Sequence, residues 1–107
     1  MLTWPPKDPN EVLDFDIDWT MRLYSADELA QVEAGATIVP ADAIASSQFT
    51  LPDGATLVAS SSTYSATRTK VWLRDGDDGT SYEVLNRITT TGGRTMDQSV
   101  RLRVKSK

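Results

Sequence analysis

The sequence predicts one all-β domain of two packed layers, with an extended N-terminal arm and one short helix. Residues 13–23 alternate strictly between apolar and polar side chains, which is the pattern of a strand with one buried face. From residue 37 onward, short runs of β-forming residues are separated by Gly, Pro and Asp, as in sandwiches and barrels. A length of 107 residues suits one domain. We expect residues 1–12 to form the arm and residues 13–107 the domain.

The arm begins MLTWPPKDPNE, which holds three prolines. Proline fixes φ and removes a backbone donor, so this stretch favours an extended, polyproline-like conformation. Leu2 and Trp4 have no periodic apolar neighbours with which to build a local core. They must pack either on the body of this domain or on another chain. Our candidate partner-binding residues in the arm are Leu2, Trp4, Pro5 and Pro6.

The stretch LDFDIDWTMRL, residues 13–23, predicts a long strand. Its carboxylates Asp14, Asp16 and Asp18 form either a metal-binding site or the solvent-exposed face of the strand. A calcium loop needs Gly at its sixth position and Glu at its twelfth, where this chain has Trp19 and Ser25. Alternate residues on a strand also lie about 6.6–6.8 Å apart, too far to converge on one ion. We therefore predict no metal at this row.

Arg101, Arg103 and Lys105 alternate with apolar residues near the C-terminus. If the first and last strands are neighbours, this basic row faces the acidic row across a strand pair and sets its register. The alternative is that the acidic row of one subunit meets the basic row of the next. Asp14, Asp16, Asp18, Arg101 and Arg103 are therefore further candidate partner-binding residues.

The stretch SADELAQVEAG predicts a helix over Ala26–Ala34. Ser25 and Glu28 have the spacing of a capping box, and Gly35 can end the helix. A long polar loop is the alternative.

Turn signals divide the rest of the chain into strands. Gly92 and Gly93 stand between SYEVLNRITT and RTMDQSVRLRV, which predicts a hairpin because glycine supplies the positive φ of tight turns. Tyr82 follows a glycine turn and precedes Val84 by two residues. This spacing resembles the tyrosine corner of immunoglobulin-like sandwiches, so we predict an immunoglobulin-like β-sandwich.

The segment DGDDG, Asp75 to Gly79, admits two interpretations. Asp75, Asp77 and Asp78 could hold calcium, or the segment is a tight turn between strands with no ion.

Composition argues against several functions. The chain has no Cys and no His, which removes thiolate chemistry and the commonest general base and metal ligand. We predict a protein without catalysis or cofactor. The net charge of −4 argues against nucleic-acid binding. No apolar run reaches the ~18 residues of a membrane span, and no secretion signal is recognisable, so we expect a soluble protein made in a cytosol.

Three stretches carry a family resemblance: WPPKDPNEVLDFDIDW, AIASSQFTLP and VWLRDGDDGTSYEVLNRITTTGGRTMDQSVRLRV. They resemble small structural proteins of tailed bacteriophages, of the phage fibre-tail adaptor or head-tail region type. The sequence departs from that family between Tyr24 and Asp42, where the predicted helix replaces a short turn.

The resemblance implies a non-enzymatic virion protein assembled in the cytoplasm of a host bacterium. Its partners would be other virion proteins, such as portal, adaptor, tail or fibre proteins, which it would contact in multiple copies. The expected role is that of an adaptor in the head-tail or fibre-attachment region. Two alternatives stay open, a capsid decoration protein and an immunoglobulin-like module that binds a ligand such as carbohydrate.

Overall fold

The computed structural model describes residues 2–107. It contains seven strands and two helices. The strands are β1 (Leu2–Thr3), β2 (Leu13–Asp18), β3 (Ile44–Thr50), β4 (Leu57–Tyr64), β5 (Arg68–Asp75), β6 (Thr80–Thr90) and β7 (Thr95–Val104). The helices are α1 (Thr20–Leu23) and α2 (Ala26–Glu33).

The strands form two sheets that pack against each other. One sheet has the order β1-β7-β6-β3 and the other has the order β2-β5-β4. All neighbours are antiparallel except β1 and β7, which are parallel. The predicted all-β sandwich with a short helix is confirmed. The immunoglobulin-like assignment stays a prediction.

The core lies between the sheets because alternate residues of each strand point inward. On β6, Tyr82, Val84, Asn86 and Ile88 are buried, while the residues between them are more accessible. Leu73 on the facing sheet is also fully buried. At about 25 cal/mol per Å² of apolar surface removed from water, such side chains supply most of the driving force for folding.

A buried polar cluster joins the two sheets. The Trp19 indole Nε1 donates to Thr69 Oγ1 at 3.2 Å and to Asn86 Oδ1 at 3.1 Å. The Thr69 hydroxyl donates to Asn86 Oδ1 at 2.7 Å, and Asn86 Nδ2 donates to Ser47 Oγ at 3.0 Å. Buried polar atoms need hydrogen-bond partners of this kind. Because the bonds join residues of both sheets, the cluster fixes how the sheets face each other.

The strand predicted over residues 13–23 is longer than the observed strand, β2. β2 ends at Asp18, whose carboxylate accepts hydrogen bonds from the Thr20 amide at 2.9 Å and the Thr20 hydroxyl at 2.6 Å. This local turn starts α1. As a result Leu23 is fully buried, whereas Met21, predicted on the same face, is 60% exposed.

The predicted helix is confirmed, one residue shorter at its end. The Ser25 hydroxyl accepts from the Glu28 amide at 3.2 Å, and the Glu28 carboxylate accepts from the Ser25 amide at 2.9 Å. These two bonds form the predicted capping box. Gly35, at φ +101°, follows the end of α2 in the left-handed conformation that favours glycine.

The predicted hairpin is also confirmed. β6 and β7 pair antiparallel over their length, from Thr80↔Val104 to Thr89↔Thr95. Gly93 takes φ +88° in the connecting loop, as tight turns demand.

The prediction that the acidic strand, β2, lies beside the last strand, β7, is wrong. β2 pairs with β5, and β7 lies in the other sheet between β6 and β1. The reason is that the N-terminal arm itself supplies β1, which occupies the edge of β7 from Leu2↔Val100 to Thr3↔Arg101.

Candidate protein-binding surfaces

The N-terminal arm lies along β7. The Trp4 amide donates to the Arg101 carbonyl at 3.0 Å, and the Lys7 amide donates to the Arg103 carbonyl at 3.0 Å. The Lys105 amide donates back to the Lys7 carbonyl at 2.8 Å. These bonds extend the parallel pairing beyond the two residues of β1. Of the two interpretations of the arm, the structure therefore shows packing on its own domain.

Trp4 is the anchor of the arm. Its ring stacks on Phe15, with centroids 4.9 Å apart and planes at 25°. Its Nε1 donates to the Asp16 carbonyl at 3.0 Å, so the arm contacts both sheets. Trp4 is 9% exposed, whereas Leu2 is 52% exposed. Of the candidate residues in the arm, Leu2, Pro5 and Pro6 lie at the surface and Trp4 does not.

Lys7, a residue of the arm, is fully buried. Its Nζ donates to the carbonyls of Asp8 at 2.9 Å and Asp75 at 2.6 Å. Burial lowers the pKa of Lys7, while the charges of Asp75, Glu11 and Asp8 act to raise it. Asp75 presents its carbonyl from a left-handed conformation, φ +62°. Sequence reasoning missed this lysine because a charged residue between prolines gives no signal of burial.

The acidic row lies on the outer face of the β2-β5-β4 sheet. Lys70 Nζ lies 3.3 Å from Asp14 Oδ2 and 3.8 Å from Asp16 Oδ1. Arg68 Nη2 lies 3.4 Å from Asp18 Oδ2. The prediction that the row faces Arg101 and Arg103 within the domain is therefore wrong, because β5 takes the place beside β2. These pairs are exposed, so each contributes little to stability.

Arg101 and Arg103 lie on the outer face of the other sheet. In the register of β6 and β7, Arg101 is opposite Glu83 and Arg103 is opposite Ser81. Within residues 2–107, neither arginine lies within salt-bridge distance of a carboxylate, and Lys105 does not either. Cross-strand partners share a face of the sheet. The outer face of β7 is thus a cationic strip.

Residues 24–42 connect α1 to β3, and we call this segment the excursion. It contains α2, none of whose residues is buried. Its internal bonds run from the Tyr24 hydroxyl to the Ile38 carbonyl, at 2.7 Å, and from the Ala41 amide to Glu28 Oε2, at 2.9 Å. Val39 is 80% exposed. The excursion therefore presents apolar and polar side chains to solvent.

Arg94 closes the base of the excursion. Its Nη2 lies 2.8 Å from Asp42 Oδ2 and donates to the Leu23 carbonyl at 2.6 Å. Asp42 Oδ1 also accepts from the Gly92 amide at 2.8 Å and the Thr91 hydroxyl at 3.0 Å. An open hollow of about 510 Å³ lies over this base, lined by Ser25, Ala41, Asp42, Thr91, Gly92 and Arg94.

The charge of Asp42 follows from these contacts. Burial acts to raise the pKa of Asp42. The hydroxyls of Thr90 and Thr91, the Gly92 amide and Arg94 outweigh burial and hold that pKa well below its ordinary value. Hydrogen bonds to a carboxylate favour its ionised form. Asp42 is thus a fixed anion that ties the excursion to the β6–β7 hairpin.

Sequence reasoning did not identify the excursion as a binding surface. Its acids, Asp27, Glu28, Glu33 and Asp42, are accompanied by no Lys or Arg. That charge imbalance was the available signal. The sequence pattern could not show that α2 stands away from the sheets.

The structure adds little to the case for metal or membrane sites. Among residues 2–107, no group of three or more acidic side chains is placed to hold a metal ion. In the Asp75–Asp78 turn, the Tyr82 hydroxyl accepts from the Asp77 amide at 2.8 Å, so this tyrosine bonds back to the turn that precedes its strand. In the described part of the chain, neither helix is long and apolar enough to cross a bilayer.

Comparison with known proteins identifies the family. No curated protein sequence matches the chain significantly. A family model described as podophage GP4 fiber-tail adaptor protein gp77 matches residues 7–103. The match covers the excursion and strands β2 to β6 in full, and it begins after Trp4, Pro5 and Pro6. The resemblance seen in the sequence is confirmed, and the chain belongs to the family of the podophage GP4 fiber-tail adaptor protein gp77.

Proposed function

We propose that this chain is a non-enzymatic structural adaptor of a phage virion, which joins tail and fibre proteins through protein–protein contacts. The family match over residues 7–103 is the observation that carries the proposal. For this role we treat residues 1–12 as an arm and residues 13–107 as the body.

The surface chemistry supports a role in protein contacts. The domain offers two sheet faces with different charge patterns and an excursion with no buried helical residue. The residues proposed to contact partner proteins include those named from the sequence that remain exposed: Leu2, Pro5, Pro6, Asp14, Asp16, Asp18, Arg101 and Arg103. Trp4 supports this set from below by holding the arm on the body.

The absence of catalysis is part of the proposal. The lowered pKa values of acids such as Asp97 and Glu28 have structural causes, hydrogen bonds from Arg87 in the first case and from the Ser25 amide in the second. Perturbed groups of this kind also occur in structural ion pairs. With no His or Cys in the chain, the proposed role is assembly.

The proposal is tested in particles. In a phage whose gene for this chain is interrupted, we expect heads and tails that lack fibres under the electron microscope and adsorb poorly to host cells. Supplying the intact chain in trans should restore both. Fully fibred, infectious particles without the chain would contradict the adaptor role.

A tagged copy imaged in intact particles separates the alternatives. Label at the fibre-attachment region supports the adaptor role, whereas label spread evenly over the capsid shell would indicate a decoration protein. A glycan-binding screen of the purified chain tests the other alternative, a module that binds carbohydrate. Selective binding of one glycan class would favour it.

A further inference from the structure

We infer that this chain associates with a second copy of itself, the excursion of one subunit docking on the outer face of the β1-β7-β6-β3 sheet of the other. The inference stands apart from the proposed adaptor function, since it concerns contacts between identical chains.

The excursion lacks a partner for its exposed side chains. α2 has eight residues and buries none of them, although an isolated helix of that length is marginal in water. Val39 is the most exposed of the large hydrophobic residues in the described chain. Two acids of the excursion, Asp27 and Glu33, are exposed and, within residues 2–107, make no salt bridge. An apolar contact flanked by cations would complement these side chains.

The outer face of the β1-β7-β6-β3 sheet offers an apolar contact beside cations. A hollow of about 290 Å³ is lined by Thr50, Leu51, Pro52, Glu83, Leu85 and Ser99. Ser99 precedes Arg101 by two residues on the same face of β7, a separation of roughly 6.6–6.8 Å. Arg101 and Arg103 have no salt-bridge partner in the described chain, and Glu83 is the one acid of the hollow. A hollow that combines the apolar residues Leu51, Pro52 and Leu85 with polar ones therefore adjoins two cations that have no salt-bridge partner.

One subunit does not satisfy both surfaces by itself. The base of the excursion is fixed to the hairpin loop by Arg94 and Gly92. Arg103 lies eight residues along β7 from Thr95, where β7 begins, which is roughly 27 Å at 3.3–3.4 Å per residue. The cationic strip and the excursion thus lie toward opposite ends of the sheet, so their charges meet between copies.

Complementary charge gives the contact its specificity and its dependence on salt. The outer face of the β2-β5-β4 sheet is a poorer receptor, because its cations Arg68 and Lys70 are already paired with the acidic row of β2. This difference between the two faces supplies a matched control.

The test uses sedimentation velocity of the purified full chain over a concentration series at low and high salt. We expect association of the wild type that weakens with added salt. Two variants should remain monomeric, an excursion variant with Asp27→Asn, Glu33→Gln and Val39→Ser, and a receptor variant with Arg101→Gln and Arg103→Gln. Circular dichroism verifies that both variants fold. A wild type that is monomeric throughout the series would overturn the inference.

The control carries a matching charge change elsewhere. Arg68→Gln with Lys70→Gln, on the outer face of the β2-β5-β4 sheet, should associate like the wild type. Mixing the excursion variant with the receptor variant restores one intact pair of surfaces, so a one-to-one complex is expected. Equal loss in the control and the interface variants, or a mixture that stays monomeric, would also overturn the inference. Fibre attachment in particles is measured separately, so failure here leaves the adaptor test intact.

Discussion

Arg94 lies 2.8 Å from Asp42, and through this pair one residue of the β6–β7 hairpin loop closes both ends of the excursion. The guanidinium also reaches the carbonyls of Arg22 at 3.3 Å and Leu23 at 2.6 Å, where the excursion begins. Asp42 stands where it ends. The planar guanidinium donates in several fixed directions, which a lysine ammonium does not reproduce.

Replacing Arg94 should therefore loosen the excursion. For Arg94→Ala, or for Arg94→Lys to a smaller degree, we expect a loss of about 1–3 kcal/mol in the free energy of unfolding, because Asp42 loses charged hydrogen bonds while partly buried. Urea denaturation measures the loss, and hydrogen exchange should speed up in residues 24–42. Arg87→Ala, which breaks an exposed pair with Asp97, is the control and should cost less than about 1 kcal/mol. Equal costs for Arg94→Ala and Arg87→Ala would contradict the role given to Arg94.

Asp42 makes stability depend on pH in the acid range. Its pKa in the folded chain lies well below the ordinary value of 3.8, so the folded state binds its proton less readily than the unfolded state. The stability that this group contributes is present above pH 3.8 and is lost as pH falls through the folded pKa. The stability gap between wild type and Asp42→Asn should accordingly narrow below that value.

Unfolding curves of both proteins from neutral pH to about pH 2 measure the gap. Asp53→Asn removes the same charge from an exposed turn and serves as the control, with a small gap throughout. A gap between wild type and Asp42→Asn that stays constant with pH would show that Asp42 acts through packing alone.

Trp4 should be required for the arm to stay on the body. Trp4→Ala removes its stack on Phe15 and its bond to Asp16, and we expect a loss of about 3–5 kcal/mol in the free energy of unfolding. Faster proteolysis of residues 1–12 should accompany it. Trp72→Ala changes a tryptophan that is 38% exposed and should cost much less. Resistance of the arm to protease in Trp4→Ala would contradict the anchoring role.

Gly76 is required by both its backbone and its surroundings. It takes φ +101°, and an added Cβ would lie 2.8 Å from Val104 Cγ2. Gly76→Ala should lose about 1–3 kcal/mol in unfolding free energy from overpacking, beyond the cost of the positive φ. Gly79→Ala isolates the backbone cost, since Gly79 has φ +81° and nothing within 4 Å of its added Cβ. Equal melting temperatures of the two variants would exclude a contribution from the contact with Val104.

Much of the secondary structure was predictable because its determinants lie close together in the chain. The capping box of Ser25 and Glu28 spans three residues, and the glycines of the hairpin act within one turn. The strand predicted over residues 13–23 is an exception, because β2 ends at Asp18. The periodic pattern continued through Thr20, but the Asp18 side chain bonded to Thr20 and turned the chain, and one such local bond outweighs a pattern.

Local patterns in the sequence specify that alternate apolar residues of β2 face the core, where α2 begins and that an acidic row and a basic row exist. What each row faces depends on which strands become neighbours in the folded protein. Asp16 pairs with Lys70 because β5 lies beside β2, and the arm occupies the edge of β7. Strand neighbours are chosen by competition among distant segments for the same edges and the same core, and no short stretch of residues contains the information that settles it.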